Sequence, residues 1–173
     1  MTTRPKCLIV LTALRLTPEY GQAALASARD RGEDVVLALF VDREISEAVT
    51  DHLVDAGFLG ENLRHKLSDT MMAEYRERGM ENLEALLSAA SAMSLGAERV
   101  VVDGPFLNSV LSVAASHHVS RIAVARMRRP DASTALFGRE IDRLVKKAPC
   151  PVDVFDWATG AARSEPRGGR ASA

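Results

Sequence analysis

Arg121–Phe155 reads RIAVARMRRPDASTALFGREIDRLVKKAPCPVDVF, and this stretch decides the fold. Ile122 to Ala125 is a short apolar run with a β-branched start, the pattern of a strand covered on both faces. An arginine-rich segment, Arg126 to Phe137, reads as a loop, and the amphipathic run from Gly138 to Lys147 as a helix. Ala148-Pro149-Cys150-Pro151 then breaks the helix and leads into a second strand, Val152 to Phe155. Strand, helix and strand in that order are the parts of a parallel crossover unit.

The rest of the chain repeats the alternation. Leu8 to Leu11 and Val35 to Val41 are apolar runs too continuous for a half-exposed strand. Between them, Thr17-Pro18-Glu19 supplies a helix cap, a proline for the first helical position and an acid in the first turn, and Gly32 supplies the stop. From Glu61 to Leu95 apolar residues recur every three or four positions, predicting a long helix that Gly79 is expected to bend. Val100 to Val102 reads as a further strand ended by Asp103-Gly104-Pro105, with a helix from Phe106 to His118 after it. The segment 43–60 has helical spacing punctuated by Gly57 and Gly60, and is either a fixed surface helix or a lid. The expected fold is therefore a single α/β domain over residues 1–156, a doubly wound and mostly parallel sheet with helices on both faces. Residues 157–173 end in ARSEPRGGRASA and are expected to be a disordered tail.

Composition excludes several classes. A formal net charge of -1 on 173 residues gives no global attraction to nucleic acid or to an acidic membrane. No stretch approaches the roughly 18 apolar residues of a membrane span. Cys7 and Cys150 lack any ligand-like spacing and suit two reduced thiols in the cytoplasm. His117-His118 point about 100° apart on a helix and do not share a metal. No nucleophile elbow, Walker loop, zinc-protease helix or paired-cysteine motif appears, so no enzyme activity, metal or cofactor is expected.

Arg121–Phe155 resembles the C-terminal signature of the universal stress protein family, in which a strand leads into a glycine-rich loop, a Gly-Ser helix start and a closing A-P-C-P-V strand. Ala148-Pro149-Cys150-Pro151-Val152 matches that ending, Gly104-Pro105 fits the end of the family's third strand, and the resemblance spans about residues 5 to 156. It implies a five-stranded sheet in the order 3-2-1-4-5, with the ligand cleft between the loops after Ala13 and after Ala125.

ATP-binding members of that family carry G-x-x-G-x₉-G-[ST] and an aspartate at the end of the first strand. Here the equivalent positions hold Ala125, Arg128, Gly138 and Arg139, with Thr12 in place of the aspartate, so only Gly138 is retained. Val41 stands where the family's backbone contacts adenine, and it fits a buried strand equally well. The resemblance thus implies a degenerate nucleotide site and loss of ATP binding. The second reading is a relocated anion site for ATP or AMP. Arg121, Arg126, Arg128, Arg129 and Arg139 crowd the end of the fourth strand and the start of the last helix, with guanidinium groups replacing backbone amides and Ser133 and Thr134 adding hydroxyls. Against it stands a solvated basic loop, its arginines paired to Asp131, Glu140 or Asp142.

Val152, Asp153, Val154 and Phe155 are expected at the sheet edge, and the resemblance implies a homodimer through this strand, continued by Phe155 and Trp157. The reading that follows is a non-catalytic stress-response or regulatory dimer that works through an unidentified protein partner. The alternative is a nucleotide-responsive module built on residues 126–139. The resemblance also implies a third class, slow ATP hydrolysis, against which the missing aspartate and glycines argue most directly.

Overall fold

The computed structural model describes residues 4–12, 18–44, 47, 61–126, 132–156 and 158–165. In chain order these form β1 (Lys6–Thr12), α1 (Pro18–Asp30), β2 (Asp34–Val41), α2 (Glu61–Ala92), β3 (Ala97–Asp103), α3 (Phe106–Ser116), β4 (Arg121–Arg126), α4 (Ala132–Lys147), β5 (Val152–Asp156) and β6 (Ala162–Glu165). The sheet order is β3-β2-β1-β4-β5-β6. All ladders are parallel except that between β5 and β6. The doubly wound α/β expectation is met, with one strand more than the five expected.

Alternation of side chains along the strands divides the core in two. Leu8, Val10, Val36, Ala38 and Phe40 face α3 and α4, where Phe106, Val110, Ile141 and Leu144 meet them. Cys7, Ile9, Leu11, Leu37 and Leu39 face the other way, onto Tyr20, Ala24 and Leu25 of α1 and Leu83, Leu86 and Ala90 of α2. Both faces of the central strands are therefore buried, which is why their sequences read as unbroken apolar runs. Gly79 does not interrupt α2. A Cβ there would lie 2.9 Å from Leu39 Cδ1, so the glycine lets the helix approach β2 closely.

Three expectations need correction. The last helix begins at Ala132, because Ala132, Ala135 and Leu136 are good helix formers, so Gly138 lies inside it and does not open it. The region after 157 is not wholly tail, since Ala162–Glu165 pairs antiparallel with β5. Backbone chemistry makes that hairpin. Asp156 Oδ1 accepts the N–H groups of Ala158 and Thr159 at 3.0 Å each, the N–H of Gly160 donates to the carbonyl of Asp156 at 2.8 Å, and Gly160 takes φ +67°. In consequence Val152, Asp153, Val154 and Phe155 are not the sheet edge, because β6 covers them. Phe155 is also not exposed; it is 2% accessible and packs edge-on against Tyr20 with ring centroids 5.6 Å apart. Trp157 and nearly all of 43–60 lie outside the described residues.

Candidate functional site

Sheet order reverses between β1 and β4, so the crevice expected to hold ligand lies beyond their carboxyl ends. Thr12 ends β1 and is half-buried, Val41 ends β2 and is buried, and half-buried Ala125 and Arg126 end β4. The fold thus brings Thr12, Ala125 and Arg126 to the same end of two neighbouring strands. Arg128 and Arg129 lie outside the described residues. Ser133 and Thr134 fall in the first turn of α4, and Arg139 is exposed one turn further along.

Ladder pairing between β1 and β4 covers only Cys7–Ile9 with Arg121–Ala123. Just past it, the Tyr20 hydroxyl enters from α1 and lies 2.8 Å from the carbonyl of Ala123 and 3.0 Å from that of Val10. Its one proton is shared between the two carbonyls in the gap between the strands. Tyr20 is 4% accessible, and burial pushes its phenol well above the usual tyrosine range, so it stays a neutral donor. Tyr20 thus ties α1 to both strands just before their carboxyl ends, a role the sequence did not reveal.

The helix N-terminus does not present Gly138 and Arg139 to the crevice. Only the first four N–H groups of a helix lack intrahelical acceptors, and in α4 those begin at Ala132. Arg126 binds Asp142 of α4 through Nη2, the pairing expected of a solvated basic loop. Arg121 is no part of the cluster. It is the first residue of β4, at the opposite end of the sheet, where its Nε lies 3.1 Å from Glu33 Oε2 and its Nη1 2.6 Å from Asp153 Oδ2.

A concavity of about 580 Å³ lies beside Val41, between the ends of β2 and β3 and the middle of α2. Val41, Met72, Ala73 and Pro105 give it apolar walls, and Asp42, Arg43, Glu44, Glu47, Arg76 and Asp103 give it charge. Arg43 reaches Glu47 at 2.8 Å and Asp69 at 2.7 Å, while Arg76 binds Asp103 across the concavity. Asp42 Oδ2 accepts the N–H of Phe106 at 2.8 Å and caps α3, which its own N-cap residue, Pro105, cannot do. The carbonyl of Val41 accepts the N–H of Gly104 at 3.1 Å. This volume lies in the range of small-molecule sites. None of its charged residues was singled out in the sequence, because they are scattered among ordinary surface charges until β2, β3 and α2 come together.

Elsewhere, His117 Nδ1 lies 2.9 Å from Glu98 Oε2, and His118 takes φ 51° in the turn after α3. Cys7 and Cys150 are buried thiols with no disulfide between them. Among the described residues, no group of three or more His, Cys, Asp or Glu is arranged to hold a metal, and no helix is long and apolar enough to cross a membrane.

No protein-family model matches the chain, and no curated protein matches it in sequence. Solved structures do resemble it. Hypothetical protein MJ0577 superposes with a TM-score of 0.56 at 16% identity, over 88% of this chain and 96% of that one. A universal stress protein in complex with cAMP gives 0.54 at 8% identity, over 91% and 100%. A universal stress protein family member from Burkholderia pseudomallei gives 0.52 at 19% identity, over 86% and 94%. The chain has the doubly wound α/β fold of universal stress protein family structures.

Proposed function

We propose that the chain is a universal-stress-protein-like, non-catalytic regulatory protein of the cytoplasm that acts through protein contacts, with family-type ATP binding lost. The observation that carries this reading is the fixed base beneath the ends of β1 and β4, where buried Tyr20 joins the carbonyls of Val10 and Ala123. Two further features support it. Thr12 offers a hydroxyl where a ribose-binding carboxylate would stand, and Gly138 lies within α4, away from the free amides of its start. Self-association through the β5 end of the sheet, expected from the resemblance, would use the outer side of β6 or displace it. Size-exclusion chromatography with light scattering, on the full chain and on a chain ending at Asp156, tests this. A shift toward dimer on truncation supports the displaced-strand form, and a monomer in both samples contradicts the dimer.

A nucleotide-responsive module is the second reading. The 580 Å³ concavity beside Val41 and the likeness to a structure in complex with cAMP favour it. Calorimetric titration with ATP and AMP separates the two: the first reading expects no saturable heat, and the second expects binding that weakens with salt and depends on Arg128 or Arg139.

A further inference from the structure

β6 closes one edge of the sheet, and β3 forms the other. Pairing with β2 is unbroken from Ala97 to Asp103, so seven residues make an edge with no proline and no bulge to turn it away. The N–H of Val35 donates to the carbonyl of Gly96 at 2.8 Å, and the N–H of Gly104 donates to that of Val41 at 3.1 Å. Backbone groups of successive residues point to opposite sides of a strand. Even-numbered residues of β3 therefore serve β2, while Ala97, Arg99, Val101 and Asp103 turn their N–H and C=O groups outward. No described element pairs with that outer row.

The side chains along this row are half-buried apolar groups and exposed charges. Val100 and Val102 lie at the fringe of the core beneath α3, and Val101 at the fringe of the core beneath α2. All three are half-buried, whereas the valines and leucines of β2 beside them are buried. On the α2 side, Arg99 binds Glu84 and Asp103 binds Arg76. Residues four apart share a helix face, so half-buried Met80 lies between those two pairs, beside Val101. The charges are symmetric about Val101, with a cation two residues before it and an acid two residues after it.

That symmetry decides the occupant. We propose that the outer edge of β3 pairs with β3 of a second copy, antiparallel and centred on Val101, in a contact separate from the one at the β5 end of the sheet. In this register Arg99 of each copy stands opposite Asp103 of the other, Val101 faces Val101, and Val100 faces Val102. The outward-turned residues become hydrogen-bonded pairs. On the α2 face the charges then alternate across the junction, from Glu84 and Arg99 of one copy to Asp103 and Arg76 of the other. Opposite charges directly across a strand pair attract and like charges repel. A register centred on Arg99 would set that cation against itself, and one centred on Val100 would leave Arg99 facing Val101 and Asp103 facing Ala97. The contact is self-complementary and closes as a dimer.

The test is sedimentation equilibrium of the full chain, with Arg99→Asp and Asp103→Arg measured singly and as an equimolar mixture. One strand pair is a small interface, so the native chain is expected to show a monomer–dimer equilibrium in the micromolar range. Each single variant sets like charges opposite each other on both sides of Val101 and is expected to weaken association about tenfold or more. In the mixture opposite charges face each other again, and a heterodimer of near-native affinity is expected. Each substitution also breaks one exposed pair with α2, but that loss is present in the single samples and in the mixture alike, so it does not produce the recovery. A mixture no stronger than either variant alone would overturn the proposal. So would a native chain that stays monomeric, which would leave the edge to an extended segment of another protein. A dimer that both variants leave intact would overturn it as well, while the contact at the β5 end would stand.

Discussion

At the amino end of the sheet, Arg121, Glu33 and Asp153 are 3%, 6% and 3% accessible, and Arg121 binds both carboxylates, with Cys7 nearby at 0%. At the carboxyl end, Arg43, Arg76 and Arg126 also meet carboxylates, but with side chains 65%, 47% and 38% accessible. The same residue types therefore do different work. A buried cluster fixes which strand lies beside which, because removing Arg121 leaves two buried carboxylates, with the exposed Arg31 at 3.6 Å from Asp153 as a weaker substitute. Exposed pairs can exchange their partners for water or ligand at little cost. The chain holds its fold at one end and leaves its chemistry adjustable at the other.

The contrast breaks most visibly at Arg121. Arg121→Ala should destabilise the fold by ~3–5 kcal/mol in urea unfolding, since Glu33 and Asp153 lose their shared cation. A loss below ~1 kcal/mol would mean that the cluster is wetter than its burial indicates. Tyr20→Phe comes next, at ~1–3 kcal/mol, because the carbonyls of Val10 and Ala123 lose their donor while the ring and its contact with Phe155 remain.

Alkaline pH probes the buried end with Arg121 left in place. Burial pushes the Cys7 thiol from 9.0 up to about 12, outweighing the opposing charge of Arg121. The unfolded chain therefore loses this proton first. Stability is complete below pH 9.0 and is lost as pH rises toward about 12, at up to ~1.4 kcal/mol per pH unit. Cys7→Ala should flatten that slope in unfolding curves measured above pH 9.0. An unchanged slope would assign the alkaline loss to other groups. The smallest effect belongs to the open end: Arg76→Ala, which breaks the exposed pair with Asp103, should change stability by ~0–1 kcal/mol in the same assay.

Much of the scaffold was legible because burial on both faces writes itself as unbroken apolar runs, as in Leu8–Leu11 and Val35–Val41. Pro18 and Gly32 marked the ends of α1 for equally local reasons. β6 was not legible: Ala-Arg-Ser-Glu has no apolar pattern, and backbone pairing with β5 is what places it. The candidate site was less legible still. Arg121 and Arg126 look alike in a basic stretch, and only strand direction puts them at opposite ends of β4. Face parity offered a clue, since Ala123 pairs with Asp153 and Arg121 shares the face of Ala123. Gly138 misled because a glycine before a charged helix reads as its start, whereas Ala132, Ala135 and Leu136 extend the helix toward the strand. Tyr20 carried no signal beyond that of a core aromatic on α1, since its hydroxyl acquires two carbonyl acceptors only when β1 and β4 meet.

Isothermal titration of the purified chain with ATP and with AMP, alongside an Arg128→Gly, Arg139→Ser variant, decides whether nucleotide binding is lost. The native chain is expected to give no saturable heat with either nucleotide. Micromolar binding to the native chain that the double variant loses would contradict it, and would show arginines acting where the family uses backbone amides.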